Sequence, residues 1–241
     1  MDLYPVVLGV SRKEFAKAPS RRDIVSETQS GAVKDGSVFP AGLRQKIFER
    51  DNYACGCCGF VSQKYQEIHH KDLDSENFKD SNLMTVCIFC HQCFQIDKVS
   101  KMRSGVLIWM PEIEQTTLHH IARAIYVARI SQGPIAEAAR KSLDVIMARR
   151  DEAKRRIHAD EPYILSMVLQ DYLSPGHYKM RDKKLAGIRL FPLDRRIIKE
   201  ADLEFNQFPQ ILAYWRSKDG PFGGKPPPKW VSIYQDILKA A

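Results

Sequence analysis

The apolar positions along the chain change rhythm twice. Between residues 39 and 51, Leu43, Ile47 and Phe48 share one helical face and Pro40 suits a first turn, so the spacing predicts a short helix. Tyr53 to His70 reads as a hairpin region, and Asn82-Leu83-Met84-Thr85-Val86 as a strand that feeds a short helix. Gly105-Val106-Leu107-Ile108-Trp109-Met110-Pro111 is an unbroken apolar run closed by proline, which predicts one buried strand. From Glu112 the period becomes helical. Leu118, Ile121, Ala122, Ile125 and Ala128 recur at that spacing. Ser131-Gln132-Gly133-Pro134 then breaks the helix and starts another, which is expected to run to about His158.

Farther on, Pro162 to Leu173 predicts a third helix and Ile188 to Leu193 a short extended piece. Residues 194–217 read as helical around a break at Pro209. Asp219 to Lys229, with three glycines and four prolines, reads as a linker before a short terminal helix, Trp230 to Ala240. At the other end, Tyr4 to Ser11 suits a strand and Pro19 to Ser37 a polar loop. The expected class is α+β. The chain divides into a lead-in over 1–38, a strand-and-knuckle unit over 39–111, a helical region over 112–218 packed on it, and a linker with a terminal helix over 219–241.

Composition narrows this picture. The 241 residues are 44% hydrophobic, enough for a packed core and too many for a disordered chain. The longest apolar runs fall far short of the ~20 residues a membrane span needs. The first residues lack the basic start and small-residue cleavage site of a secretory signal, so a cytoplasmic protein is expected. A formal net charge of +8 permits nucleic acid or an acidic protein surface as a partner. Arg149-Arg150 and Lys154-Arg155-Arg156 form a basic helix end, and Lys179 to Lys184 is similar. Both read as solvated charge, with an acidic tail or DNA phosphates as the alternative. His119-His120 reads as a surface or boundary pair, because adjacent helical residues diverge by about 100° and chelate poorly.

The six cysteines carry the sharpest signal. Without a secretory signal they argue for metal rather than disulfides. Cys55-x-x-Cys58 is followed, after 28 residues, by Cys87-x-x-Cys90. Two residues between cysteines let a tight turn aim two sulfurs at one ion, and two such knuckles complete a tetrahedral sulfur site suited to structural zinc. Gly56 and Gly59 supply backbone freedom, and Tyr53 and Phe60 are bulky enough to shield the ion. Cys57 is expected to point away from the metal. Cys90-x-x-Cys93 is a competing pair; the strand leading into Cys87 favours Cys87 and Cys90, with Cys93 one turn into a helix as a core residue.

Glu67-Ile68-His69-His70, Asn82-Leu83 and Cys87-x-x-Cys90-His91 together resemble the ββα-metal (HNH) nuclease pattern with embedded zinc knuckles. That resemblance implies His69 as ligand of a catalytic Mg2+ or Mn2+, His70 as general base and Asn82 as the residue that orients the loop. A further helical ligand, histidine or asparagine in that family, falls here on Gln95. His91 comes too early, Asp97 would approach from a different face, and Asp72 and Asp74 match no known spacing. A single imidazole holds a hard cation poorly, which favours a non-catalytic role.

A second resemblance covers more of the chain. Phe48-Glu49-Arg50-Asp51-Asn52-Tyr53-Ala54-Cys55, Cys58-Gly59-Phe60, the run from Asn82 to Phe94 with its spare Cys93, Gly105 to Ile113, and Ile188-Arg189-Leu190-Phe191-Pro192 are similar to the IcmJ/DotN family of type IVB secretion and conjugation systems. This implies an HNH-like zinc-binding core and a cytoplasmic adaptor subunit. Its partner would be the C-terminal extension of the coupling ATPase, alongside other coupling-complex subunits, with recruitment to the inner membrane through that ATPase. Residues after about 200 match no part of the family pattern, and Trp230 to Leu238 reads either as a tethered docking helix or as one packed on its own domain.

Overall fold

The computed structural model describes residues 3–10, 39–200 and 202–240; side chains at 231, 234, 237, 238 and 240 are outside that description. The polar loop expected over 19–37 lies outside the described residues.

Helix α1 (Leu43–Arg50) precedes the hairpin of β1 (Gln66–His70) and β2 (Leu83–Cys87), which pair antiparallel with Ile68 opposite Thr85. β2 leads without a loop into α2 (Ile88–Phe94), giving a ββα unit. Ile47 of α1 meets Ile68 and Leu83 in a small core that Phe39, Leu43 and Phe48 cover. After α3 (Ile96–Met102) comes β3 (Gly105–Trp109). Its partner is the distant β4 (Ile188–Pro192), with Leu107 opposite Leu190. Between them run α4 (Gln115–Arg129), α5 (Pro134–Ala148), α6 (Arg150–Ile157), α7 (Pro162–Met167) with a π-helical turn over Val168–Tyr172, α8 (Pro175–Lys179) and α9 (Arg181–Lys184). The chain continues through the hairpin of β5 (Ile197–Glu200) and β6 (Leu203–Asn206), then α10 (Phe208–Arg216) and α11 (Trp230–Ala240).

The architecture is α+β, a ββα unit continued by a mostly helical region. One face of β3–β4 and the inner face of α4 close the main core, where Val86, Phe89, Leu118, Tyr126, Phe191, Phe208 and Trp215 pack together. The opposite face buries Leu107, Leu190, Val99 and Leu169.

Four local expectations change in three dimensions. The segment from Tyr4 is extended but joins no ladder. Single backbone bonds fasten it, from Tyr4 to the Gly56 carbonyl (2.8 Å), from Gly9 to the Cys93 carbonyl (2.8 Å) and from Ile96 to the Gly9 carbonyl (3.0 Å). The helix expected to reach His158 is interrupted at Arg149, whose carbonyl accepts both the Trp109 N–H from the outer edge of β3 (3.2 Å) and the Ala153 N–H of α6 (3.4 Å). Residues 197–206 form a hairpin rather than helix, and Pro209 sits in the first turn of α10, where its missing N–H costs nothing. The segment 219–229 is not a free linker. Phe222 donates to the Trp215 carbonyl (3.2 Å), its ring stacks on Trp230 with centroids 5.3 Å apart, and Pro227 is buried.

Gly187, just before β4, has φ +89, and a Cβ there would come within 2.5 Å of the Trp109 ring. Gly187→Ala is therefore expected to cost about 2–5 kcal/mol, left-handed strain plus overpacking. Gly133→Ala, at φ +79 and ψ −165 with open space around it, should cost about 1–3 kcal/mol, from backbone strain without overpacking. Denaturant unfolding of the two variants side by side measures the difference.

Candidate metal centre

The two knuckles are built differently. The first is a free turn. Ala54 and Val61 bridge antiparallel, Cys55 donates to the Phe60 carbonyl (3.0 Å), and Gly59 donates back to the Cys55 carbonyl (2.8 Å) from a left-handed φ of +71. The Gly56 N–H bonds the Thr85 carbonyl at 2.8 Å, tying the turn to β2. The second knuckle is a strand-to-helix junction. Cys87 is the N-cap of α2, and its Sγ accepts the Cys90 N–H at 3.4 Å.

Together they place the Sγ atoms of Cys55, Cys58, Cys87 and Cys90 within 4.8 Å of one another, all buried. Cys58 and Cys87 are 3.7 Å apart, close to the ~3.8 Å edge of a tetrahedron with ~2.3 Å metal–sulfur bonds. Cys93 is buried with its thiol on the Phe89 carbonyl at 3.5 Å, as a core residue should be. Cys57 is buried and is not one of the four cysteines whose sulfurs converge.

The surroundings test whether these sulfurs carry charge. Arg123 of α4 is 1% exposed. Its Nη2 donates to Cys87 Sγ at 2.7 Å, with Cys58 Sγ at 3.9 Å. The guanidinium lies 4.0 Å from the centre of the Phe60 ring and 5.0 Å from that of Phe89. Its Nε and Nη1 have no hydrogen-bond partner. Burial opposes the charge, and the sulfurs of Cys87, Cys58, Cys90 and Cys55 outweigh it, raising the Arg123 pKa. Four neutral thiols offer no such compensation; four thiolates around a divalent ion carry a net −2.

A second donor repeats the argument. Gln115 pairs with Leu190 as a strand residue would, accepting the Leu190 N–H through Oε1 (2.9 Å) and donating Nε2–H to the Leu190 carbonyl (2.7 Å). That fixes which end of the amide is nitrogen. Nε2 also lies 2.9 Å from His119 Nε2, which must accept. The proton of His119 is then on Nδ1, aimed at Cys90 Sγ at 3.3 Å. Burial and then Arg123 push the His119 pKa well down, so the ring is neutral. His120 Nε2 lies 2.9 Å from the Cys58 carbonyl. The pair read as surface residues therefore splits: His119 is fully buried, and His120, on the rim, touches the first knuckle. The missed signal was a polar row, Gln115, His119 and Arg123, spaced by four within an apolar helix. Donor set, spacing and charge together fit a metal ion such as zinc.

The nuclease-type positions lie elsewhere. His69 and His70 are both buried, on opposite faces of β1. His69 stacks on Phe94 (4.2 Å, 18°) beside His91 (5.8 Å), and burial, then His91 and His70, push it down to about 3. His70 packs against Phe39 (5.5 Å) and Phe78 (5.7 Å). Asn82 does orient the loop between the strands: its Nδ2 donates to Asp72 Oδ1 (2.8 Å) and the Asn77 carbonyl (2.9 Å), and its Oδ1 accepts the Asp72 N–H (3.0 Å). Asp72 and Asp74 make turn bonds to the backbone N–H groups of Asp74 and Glu76. Gln95 only ends α2, and Asp97 lies in α3. His91 bonds Glu67, which Arg196 also holds. Burial pulls the Glu67 carboxyl up, but Arg196 and His91 outweigh it and keep it ionised. Its role was not legible, because Arg196 is remote in sequence.

Removing His119 with Ala should weaken metal affinity about 10–100-fold, read by competition with a chromogenic chelator. Arg123→Met should release the metal faster still, since it leaves the cluster's negative charge buried and uncompensated. Metal retention should fall as pH falls, because protons compete for the thiolates.

No family model matches the chain. It is similar to the type 4 apparatus protein DotN of Legionella pneumophila, at 31% identity over 162 residues, which span 66% of this chain and 75% of that protein. Identity of that extent, with the cysteine quartet assembled on a ββα frame, establishes that this chain belongs to the IcmJ/DotN family.

Proposed function

We propose that this protein is a non-catalytic subunit of a type IVB secretion or conjugation apparatus, in which a structural zinc on Cys55, Cys58, Cys87 and Cys90 stiffens a platform that holds the C-terminal segment of the coupling ATPase. The observation that carries this reading is the similarity to DotN, whose name places it in a type 4 apparatus. The site supports the adaptor role in two ways. All four sulfurs converge on one point, so a tetrahedral ion there keeps no open position for substrate. The nuclease-type histidines are packed against aromatic rings, and the neighbouring strand residue Glu67 is already spent on Arg196 and His91.

No helix among the described residues is long and apolar enough to cross a membrane. This agrees with a cytoplasmic subunit recruited to the inner membrane through its partner. The DNA-binding reading loses support at the basic helix end. Arg149 pairs with Glu112, Arg150 with Asp160, and Arg155 and Arg156 with Glu152, while Arg156 also covers Trp109 at 3.9 Å. These charges are engaged within the fold.

The full chain, purified without chelator, should contain one zinc and retain the coupling ATPase C-terminal segment in a pull-down. It should leave plasmid DNA uncut in Mg2+ or Mn2+; nicking that His70→Ala abolishes would replace this reading with the endonuclease one. The His69 ring should show no NMR titration between pH 8 and pH 5, since its pKa lies near 3. Because the unfolded ring titrates near 6.5, the fold gains most from neutral His69 above that pH and loses that gain as pH falls toward 3.

A further inference from the structure

A cleft of about 580 Å³ opens between α1 and the chain entering β1 on one side and the β5–β6 hairpin with the start of α10 on the other. Its volume is in the range of ligand-binding clefts. Three kinds of side chain line it, and each kind has a use. Phe48, Tyr65 and Phe205 are half-buried and offer apolar platforms. Four glutamines reach it from both walls, two buried (Gln66 and Gln207) and two exposed (Gln63 and Gln210). Primary amides supply a donor and an acceptor each, the same pair that every peptide unit presents. Two cations stand on the α1 side. Arg44 is held over the Phe39 and Phe48 rings and Lys64 over Tyr214, and neither pairs with an acid among the described residues. Of the two acids lining the cleft, Glu67 is neutralised by Arg196 and His91, which leaves Glu200 on the far wall.

The polar lining is also incomplete as it stands. Gln66 donates through Nε2 to the carbonyls of Tyr53 (2.8 Å) and Phe60 (3.1 Å), but its Oε1 has no partner. Arg196 is engaged through Nη2 with Glu67, but its Nε has none. Both residues are more than nine-tenths buried. Both atoms are shut off from solvent, which leaves the exposed amides of Gln63 and Gln210 to meet a ligand directly.

We infer that this cleft is the groove that takes an extended, acidic peptide segment, its backbone amides read by the exposed Gln63 and Gln210, an apolar side chain seated on Phe48, Tyr65 and Phe205, and its carboxylates facing Arg44 and Lys64. The inference rests on the adaptor reading and names where in the fold the coupling ATPase segment docks. Two unpaired cations facing Glu200 suit a peptide better than the continuous charge of a nucleic-acid backbone.

The test uses the zinc-loaded full chain and the fluorescently labelled C-terminal segment of the coupling ATPase, read by anisotropy. Arg44→Glu and Phe205→Asp should each weaken binding tenfold or more, and Arg44→Glu should also flatten its salt dependence. Tyr172→Asp, outside the cleft and 79% exposed, should bind as the unaltered chain does. Zinc content and unfolding midpoint check that the variants fold. A photo-crosslinking residue at exposed Gln210 gives an independent readout and should label the segment. Undiminished binding by both folded cleft variants, or crosslinks at Tyr172 and none at Gln210, overturns the groove and leaves the adaptor reading standing. No binding by the unaltered chain sinks both, and displacement of the segment by a single-stranded oligonucleotide at equal affinity overturns the peptide specificity.

Discussion

A buried arginine set against one side of a four-sulfur cluster decides how this molecule is put together. Arg123 sits in an aromatic box of Phe60, Phe89 and Trp215 with two guanidinium nitrogens unpaired. In that low-dielectric setting an isolated cation would be ruinous, and its neighbour must be negative. The cysteine quartet is that neighbour, provided its sulfurs are thiolates, and clustered thiolates in turn repel one another unless a cation sits between them. A metal held there, the thiolates and the arginine would therefore depend on one another.

This dependence reaches beyond the knuckles because Arg123 belongs to α4. The same helix sends His119 to Cys90, Gln115 to both carbonyl and N–H of Leu190, and the Tyr126 hydroxyl to the Pro192 carbonyl at 2.6 Å. The ββα unit and the β3–β4 sheet thus share one spine. A hairpin as small as β1–β2 is marginal alone. Here it is clamped by α1 on one side and by the sulfur cluster and α4 on the other.

The ββα frame keeps the outline of a nuclease while its polar groups serve packing. Asn82 still orders the loop between the strands. The space beside α2, where a catalytic cation would need several oxygen ligands, is filled by a closed Glu67–His91–Arg196 set and by His69 stacked on Phe94. A carboxylate whose charge is already balanced, and an imidazole held neutral by burial, serve packing here. Rigidity of that kind suits the platform proposed above, since a flexible partner segment loses its own freedom on docking.

Local patterns were enough for part of this. The doubled Cys-x-x-Cys, the strand running into Cys87, the buried run from Gly105 to Trp109 and the helical stripe from Leu118 to Ala128 each depend on contacts within a few residues, so their spacing declares them. Everything requiring two distant segments to meet was hidden. The pairing of β3 with β4, the Arg149 carbonyl meeting the edge of β3, the β5–β6 hairpin and the Glu67–Arg196 pair all depend on the path of the chain. His119 and Arg123 are the sharpest case: as letters on a helix they look like surface polarity, and only the fold turns them inward onto the sulfurs. Sequence alone singled out the four sulfurs that converge, because ligand spacing within a turn is local geometry. Tertiary structure decided what compensates the charge, because a buried ion draws its partners from wherever the folded chain brings them.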